Sequence, residues 1–192
     1  MDNKCLIIVD LQNDFCEGGP CAVNNSIPVI IKISDTLKHF KHIIFTKRCY
    51  DKNDKIFNNG TTKMHCIDNT LGSDINFGLI KCNNYVQIKR PYHKSIFCDG
   101  VFKKNYKIIH MLKEKKITDI YFCGIDFMAI FNSIIDAYKY GYKCHLVQFD
   151  DKIDIDDNIQ NKLIFLNNLG VNIVESMESQ CLPIKDPIHL LK

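Results

Sequence analysis

The strongest constraint lies near the start, in Leu6-Ile7-Ile8-Val9-Asp10-Leu11-Gln12-Asn13-Asp14-Phe15-Cys16-Glu17-Gly18-Gly19. An apolar, β-branched run ends abruptly in an acid, followed by a polar turn and a glycine pair. A short apolar run bounded by turn residues reads as a fully buried strand. Asp10 then stands where the strand leaves the core. An unpaired carboxylate is costly to bury, so Asp10 either faces a crevice or is held by a partner. In open α/β sheets, ligands bind in the crevice beyond the carboxyl ends of the strands. One segment thus proposes both a fold and a catalytic acid.

The rest of the chain alternates strand and helix signals. Strand patterns cover 4–10, 42–46, 86–89, 119–123, 143–148 and 171–174. Helical spacing covers 26–40, with Ser26 as N-cap, then 104–114, 128–140 and 158–169. Such alternation predicts a three-layer αβα, Rossmann-like fold around a mostly parallel sheet of about six strands. The stretch 49–85 has weak periodicity and is long for a connection, which predicts a functional excursion over the active face. No repeat or linker divides the chain, so residues 1–192 are expected to form one domain.

Composition narrows the function classes. The net charge is +3, with lysines scattered along the chain. The run Lys113-Glu114-Lys115-Lys116 suits a solvated helix end better than a nucleic-acid patch. No apolar run approaches the ~18–20 residues that span a bilayer, and Asp10 interrupts any leader-like pattern. The expectation is a cytoplasmic protein that binds neither nucleic acid nor membrane. The chain has 10 cysteines but no CxxC pair, which argues against a structural zinc site. Cys5, Cys123 and Cys144 fall in apolar strands, where a reduced cysteine acts as a small hydrophobe.

Two further segments carry chemistry. Val86-Gln87-Ile88-Lys89-Arg90-Pro91 places a lysine at a strand end, before Ser95-Ile96-Phe97. Tyr121-Phe122-Cys123-Gly124-Ile125-Asp126-Phe127-Met128-Ala129 reads as strand, tight turn and helix start, and the helix runs through Asp136-Ala137 to Gly141-Tyr142. With the first stretch, extended through Pro20-Cys21-Ala22-Val23, these segments resemble the nicotinamidases of the isochorismatase-like cysteine hydrolases. The resemblance covers nearly the whole chain in order. It implies hydrolysis of nicotinamide to nicotinate and ammonia through a cysteine thioester, as in NAD salvage. By that resemblance Asp10 is the general base and acid. Lys89 is the second catalytic residue, with Lys94 a weaker competitor. Oxyanion donors lie near Ile125–Ala129. Phe15 and Phe127 are candidates to flank a flat ring, and Ile125 joins them as a substrate contact.

The nucleophile position falls on Ala129, which has no thiol. A cysteine opening a helix would be stabilised as thiolate there. The preferred explanation is an engineered Cys-to-Ala change that traps ligand in an inactive enzyme. Natural loss leaving a nicotinamide- or partner-binding pseudoenzyme is a second. A thiol-independent hydrolase such as isochorismatase is a third. Cys123 lies in the strand before the turn, a poor substitute.

Relatives implied by the resemblance carry an Asp-x-His metal pair after a strand ending in Thr, plus a His just before Cys. Met64-His65-Cys66 resembles the last part, but Arg48 and Tyr50 occupy the first pair. Neither completes an ordinary divalent-metal set. The expectation is no assured cofactor and at most a zinc-like site with a depleted ligand set, drawing on His65 and Asp51. His65 is otherwise expected to bond the substrate ring directly. Arg48 is a candidate to place its guanidinium where metal charge would sit. The expected partner is the small-molecule substrate nicotinamide; the sequence leaves the oligomeric state open, a homo-oligomer among the options.

Overall fold

The computed structural model describes residues 3–76, 82, 84–90, 95–97, 106–148, 157–174 and 177. Its elements run β1 (Lys4–Val9), α1 (Ser26–Leu37), β2 (His42–Arg48), β3 (Val86–Arg90), α2 (Tyr106–Glu114), β4 (Asp119–Gly124), α3 (Phe127–Lys139), β5 (Lys143–Val147), α4 (Asp157–Asn168) and β6 (Asn172–Val174). The strands form one six-stranded sheet in the order β3-β2-β1-β4-β5-β6. Every neighbouring pair is parallel. The expected three-layer α/β fold is therefore what the chain adopts.

Alternation along β1 sorts the core onto both faces. Cys5, Ile7 and Val9 pack with Ile108 and Leu112 of α2, Ile130 and Ile134 of α3, and Leu163 and Leu166 of α4. Leu6 and Ile8 pack with Val29, Ile30, Ile33 and Leu37 of α1 on the other face. A strand buried on both sides needs the unbroken apolar run that β1 has. The order reverses at β1, because α1 leads to β2 on one side while β4 pairs on the other. That reversal opens a crevice beyond the ends of β1 and β4.

Element ends differ modestly from expectation. Ser26 is the first residue of α1 rather than its cap. Asn25 takes the cap position with φ +59, and Ser26 Oγ accepts the Glu17 N–H at 2.9 Å. The stretch after β2 is held by short 3-10 turns at Lys55–Phe57 and Leu71–Ser73. Residues 104–105, the lysine candidate Lys94 and the tail beyond 177 lie outside the described residues. Among the described residues, no helix is long and apolar enough to cross a membrane.

Candidate active site

Asp10 follows β1 directly and is fully buried, with φ +56. A non-glycine residue in this left-handed region stores about 1–3 kcal/mol of strain unless its surroundings fix it. Those surroundings are specific. The Asp10 N–H donates to the Thr46 carbonyl at 3.1 Å, and the Thr46 hydroxyl donates to Asp10 Oδ1 at 3.2 Å. Arg48 Nε donates to Asp10 Oδ2 at 3.0 Å. The burial problem posed by an acid at the strand end is thus met by a cation from the adjacent strand.

Arg48 also reaches α3. Its terminal nitrogen pairs with Asp126 Oδ2, and Asp126 Oδ1 accepts the Ala129 N–H at 3.0 Å as the helix N-cap. One buried guanidinium therefore joins the strand-end acid to the carboxylate capping α3. Burial works against the Arg48 charge, but Asp10 and then Asp126 hold its protonation above the ordinary range. The guanidinium lies over the Phe15 ring, 4.7 Å from its centroid, a favourable cation–π placement. Its backbone is clasped by Gln12, whose Oε1 accepts the Arg48 N–H at 2.8 Å. Gln12 Nε2 donates to the Arg48 and Ser73 carbonyls at 2.7 Å each.

Phe15 leads from the guanidinium to His65. Ring centroids of Phe15, Tyr50 and Phe57 lie 5.5, 5.2 and 5.8 Å from that of His65. His65 Nδ1 is 2.8 Å from the Lys63 carbonyl, which only a protonated nitrogen can satisfy. Nε2 is then the ring's remaining polar atom. Cys66, next in sequence, is fully buried with φ +50, and its N–H donates to Asp14 Oδ2. Asp14 belongs to the opening motif, so that motif braces the His-Cys segment as well as supplying Asp10.

Not every expected residue converges here. Lys89 was expected against Asp10. Instead its ammonium donates to both Asp68 oxygens at 2.8 Å, and its side chain is 53% exposed. Strand parity gives the reason. Thr46 and Arg48 share one face of β2, whereas Lys89 registers with Lys47 and shares the other. Phe127 does not meet Phe15; with Gly124, Ile125, Ile130 and Leu146 it lines a separate apolar cavity of about 40 Å³. Ile125 does border the Phe15 cluster. The Ile125 N–H, an expected oxyanion donor, donates to the Val9 carbonyl at 3.0 Å. Asp51 is exposed and accepts the Asn53 N–H at 2.8 Å. Cys123 packs on the α1 face, whereas Ala129 packs on the α2–α3–α4 face, so the strand thiol is on the wrong side to replace it. Asp126 was missed as a site residue. Its signal was an acid three residues before position 129, the N-cap spacing.

A buried acid at the central strand end, tied across the switch point to a helix start, stands here on a three-layer α/β fold with a parallel sheet. The chain belongs to the isochorismatase family, whose domain matches residues 4–148. A nicotinamidase/pyrazinamidase of Mycobacterium tuberculosis is 28% identical over 138 residues, 64% of this chain and 71% of its own. A nicotinamidase of Acinetobacter baylyi is 25% identical over 201 aligned positions, 91% of this chain and 94% of its own. The crystal structure of the pyrazinamidase of Pyrococcus horikoshii in complex with zinc matches with TM-score 0.75 at 22% identity, covering 90% of this chain and 99% of that one.

That zinc complex raises the question of whether this site fits a metal. Among the described residues, no group of three or more His, Cys, Asp or Glu side chains is placed to hold one. The His65 ring is walled by aromatics, Asp51 is engaged at the surface, Asp14 is taken up by the Cys66 N–H, and the Phe15 ring that borders His65 also carries the Arg48 guanidinium. A donor-only cation beside a lone histidine does not fit a divalent ion.

Proposed function

We propose that this chain carries a nicotinamidase-type site, built for a neutral aromatic amide such as nicotinamide. In a form bearing cysteine at position 129, such a site hydrolyses the amide to nicotinate and ammonia. In the present sequence the thioester route is closed and the site binds its ligand without that turnover. The observation that carries this reading is the Asp10–Arg48–Asp126 bridge, which brings the strand-end acid to the helix start that bears position 129. On this reading Asp10 is the general base that takes the thiol proton and later returns it to the leaving ammonia. The same reading assigns the ligand ring to the Phe15 and His65 cluster, with His65 Nε2 as its polar contact.

A thiol-independent hydrolase is the second reading, favoured by Ala129 beside an intact acid. Charge weighs against isochorismate, a dianion, as its substrate. Among the described residues, the bridge sets Asp10 and Asp126 against the single guanidinium of Arg48. A neutral amide avoids the repulsion that further negative charge meets there. The test is calorimetric titration of nicotinamide into the unaltered chain, with ammonia release assayed for the chain and for Ala129→Cys. Saturable binding is expected, with release in the cysteine variant on the order of a hundredfold or more above the unaltered chain. No binding and no release in either form removes the proposal. Turnover of isochorismate by the unaltered chain establishes the second reading.

A further inference from the structure

We infer that Arg48 is a built-in cation that takes the place of a divalent metal, so that this site binds its ligand in a metal-independent way. The inference rests on the reading of the site as one for a neutral aromatic amide, and it adds how the positive charge there is supplied. The guanidinium is nearly inaccessible, with its side chain 6% exposed and Asp10 at 0%. It is fixed by Asp10 at 3.0 Å, by Asp126 and by the Phe15 face at 4.7 Å. Gln12 clasps its backbone on both sides, so the side chain leaves β2 from an immobilised base.

Chemistry and space both point the same way. Arg48 and Tyr50 are two apart on the extended chain leaving β2, so they project to the same side. Phe15 contacts both the guanidinium and the His65 ring, and Tyr50 lies 5.2 Å from that ring. A divalent ion held by His65 would thus meet a phenol ring and a fixed positive charge, not two further ligands. Guanidinium has no lone pair to offer a metal and stays protonated. A like charge resting on the same Phe15 ring that borders His65 makes ion binding less favourable still. Asp10 and Asp126 are already bonded to Arg48, Asp14 accepts the Cys66 N–H, and Asp51 accepts the Asn53 N–H. As a positioning residue, Arg48 acts on the ligand through Asp10 and Asp126.

Metal stoichiometry gives a readout that a merely structural arginine would not move. The purified chain is dialysed against zinc, manganese or ferrous iron in separate experiments, and bound metal is measured by elemental analysis. The same is done for Arg48→Lys and for the double variant Arg48→Asp/Tyr50→His. The unaltered chain and Arg48→Lys are expected to stay substoichiometric. Outer partners of a metal site alone change its affinity by about 10–100-fold. Two new ligands beside His65 are expected to tighten zinc binding by at least that much, towards one ion per chain. One tightly held ion in the unaltered chain overturns the inference, and so does a folded double variant that gains no zinc. Should the double variant fail to fold, nicotinamide titration of the unaltered chain with chelator and with zinc decides. Equal affinities support a resident cation, and a change of tenfold or more overturns it. Failure of the nicotinamide reading is separable, since it appears as absent ligand binding while the dialysis result stands by itself.

Discussion

At the scale of single residues, the site is governed by one cation shared between a fully buried acid and a partly buried one. Removing one partner of a buried ion pair is far costlier than the pair is worth, because it strands charge. Arg48→Met would leave Asp10, fully buried, and Asp126 facing one another without their guanidinium. The expected loss is about 3–5 kcal/mol, read as a lower urea midpoint with unchanged slope. Arg48→Lys keeps charge but cannot reproduce the fork that bonds both acids, and should fall between. An Arg48→Met midpoint equal to that of the unaltered chain would show the bridge to be inconsequential. The acid itself was legible in the sequence, since a strand cannot end in a carboxylate without a crevice or a partner. Its partner was not. Arg48 could be recognised as out of place in a metal pair, but pairing it with Asp126, 78 positions away, needed the fold.

At the scale of elements, parallel pairing of β1 with β4 sets the site. Gly124 ends β4 with φ +139, and a side-chain carbon added there would fall on the Val9 backbone. Gly124→Ala therefore meets forbidden backbone geometry and an immovable neighbour at once. Its cost should lie at the upper end of single substitutions, about 4 kcal/mol, seen as a large drop in Tm. An unshifted Tm would mean the approach of the two strands is looser than this. The central strands were readable because β1 and β2 carry apolar, β-branched runs, and the helices because α1 and α3 keep apolar residues at 3.6 spacing. What the pattern could not supply was register. Lys89 sits at a strand end as expected, yet parity with β2 sends it to Asp68 and leaves the Asp10 side to Arg48. A period of two tells which residues share a face, but not which face of the assembled sheet that is. The turn before α3 escaped for a similar reason, since the Ile125 N–H goes to Val9 once the strands are paired, and the Ala129 N–H goes to the Asp126 cap.

At the scale of the whole molecule, the sheet separates chemistry at one end from a titrating contact at the other. His145 stacks on Tyr121 with ring centroids 4.1 Å apart and reaches back to Asp119 at the amino end of β4. Its Nδ1 faces the Asn172 amide nitrogen at 3.3 Å, and its Nε2 faces Asp119 Oδ1 at 3.3 Å. Donation from Asn172 to Nδ1 and from Nε2 to Asp119 satisfies a neutral ring. Burial, with Lys143 and Lys4 nearby, lowers its pKa from 6.5 despite the opposing pull of Asp119. The sign follows from proton counting. As pH falls through the ordinary histidine range, the unfolded chain takes up this proton before the folded chain does, so stability falls. The contribution is fully present above about pH 6.5 and is lost towards the lower folded value, at no more than ~1.4 kcal/mol per pH unit. Urea midpoints for the unaltered chain should therefore fall between pH 7.5 and 5.5, and His145→Gln should flatten that decline. An identical decline in the variant would assign the acid sensitivity elsewhere. Because Asp10 and Arg48 lie at the opposite strand ends, ligand affinity at pH 7.5 should be the same in both proteins.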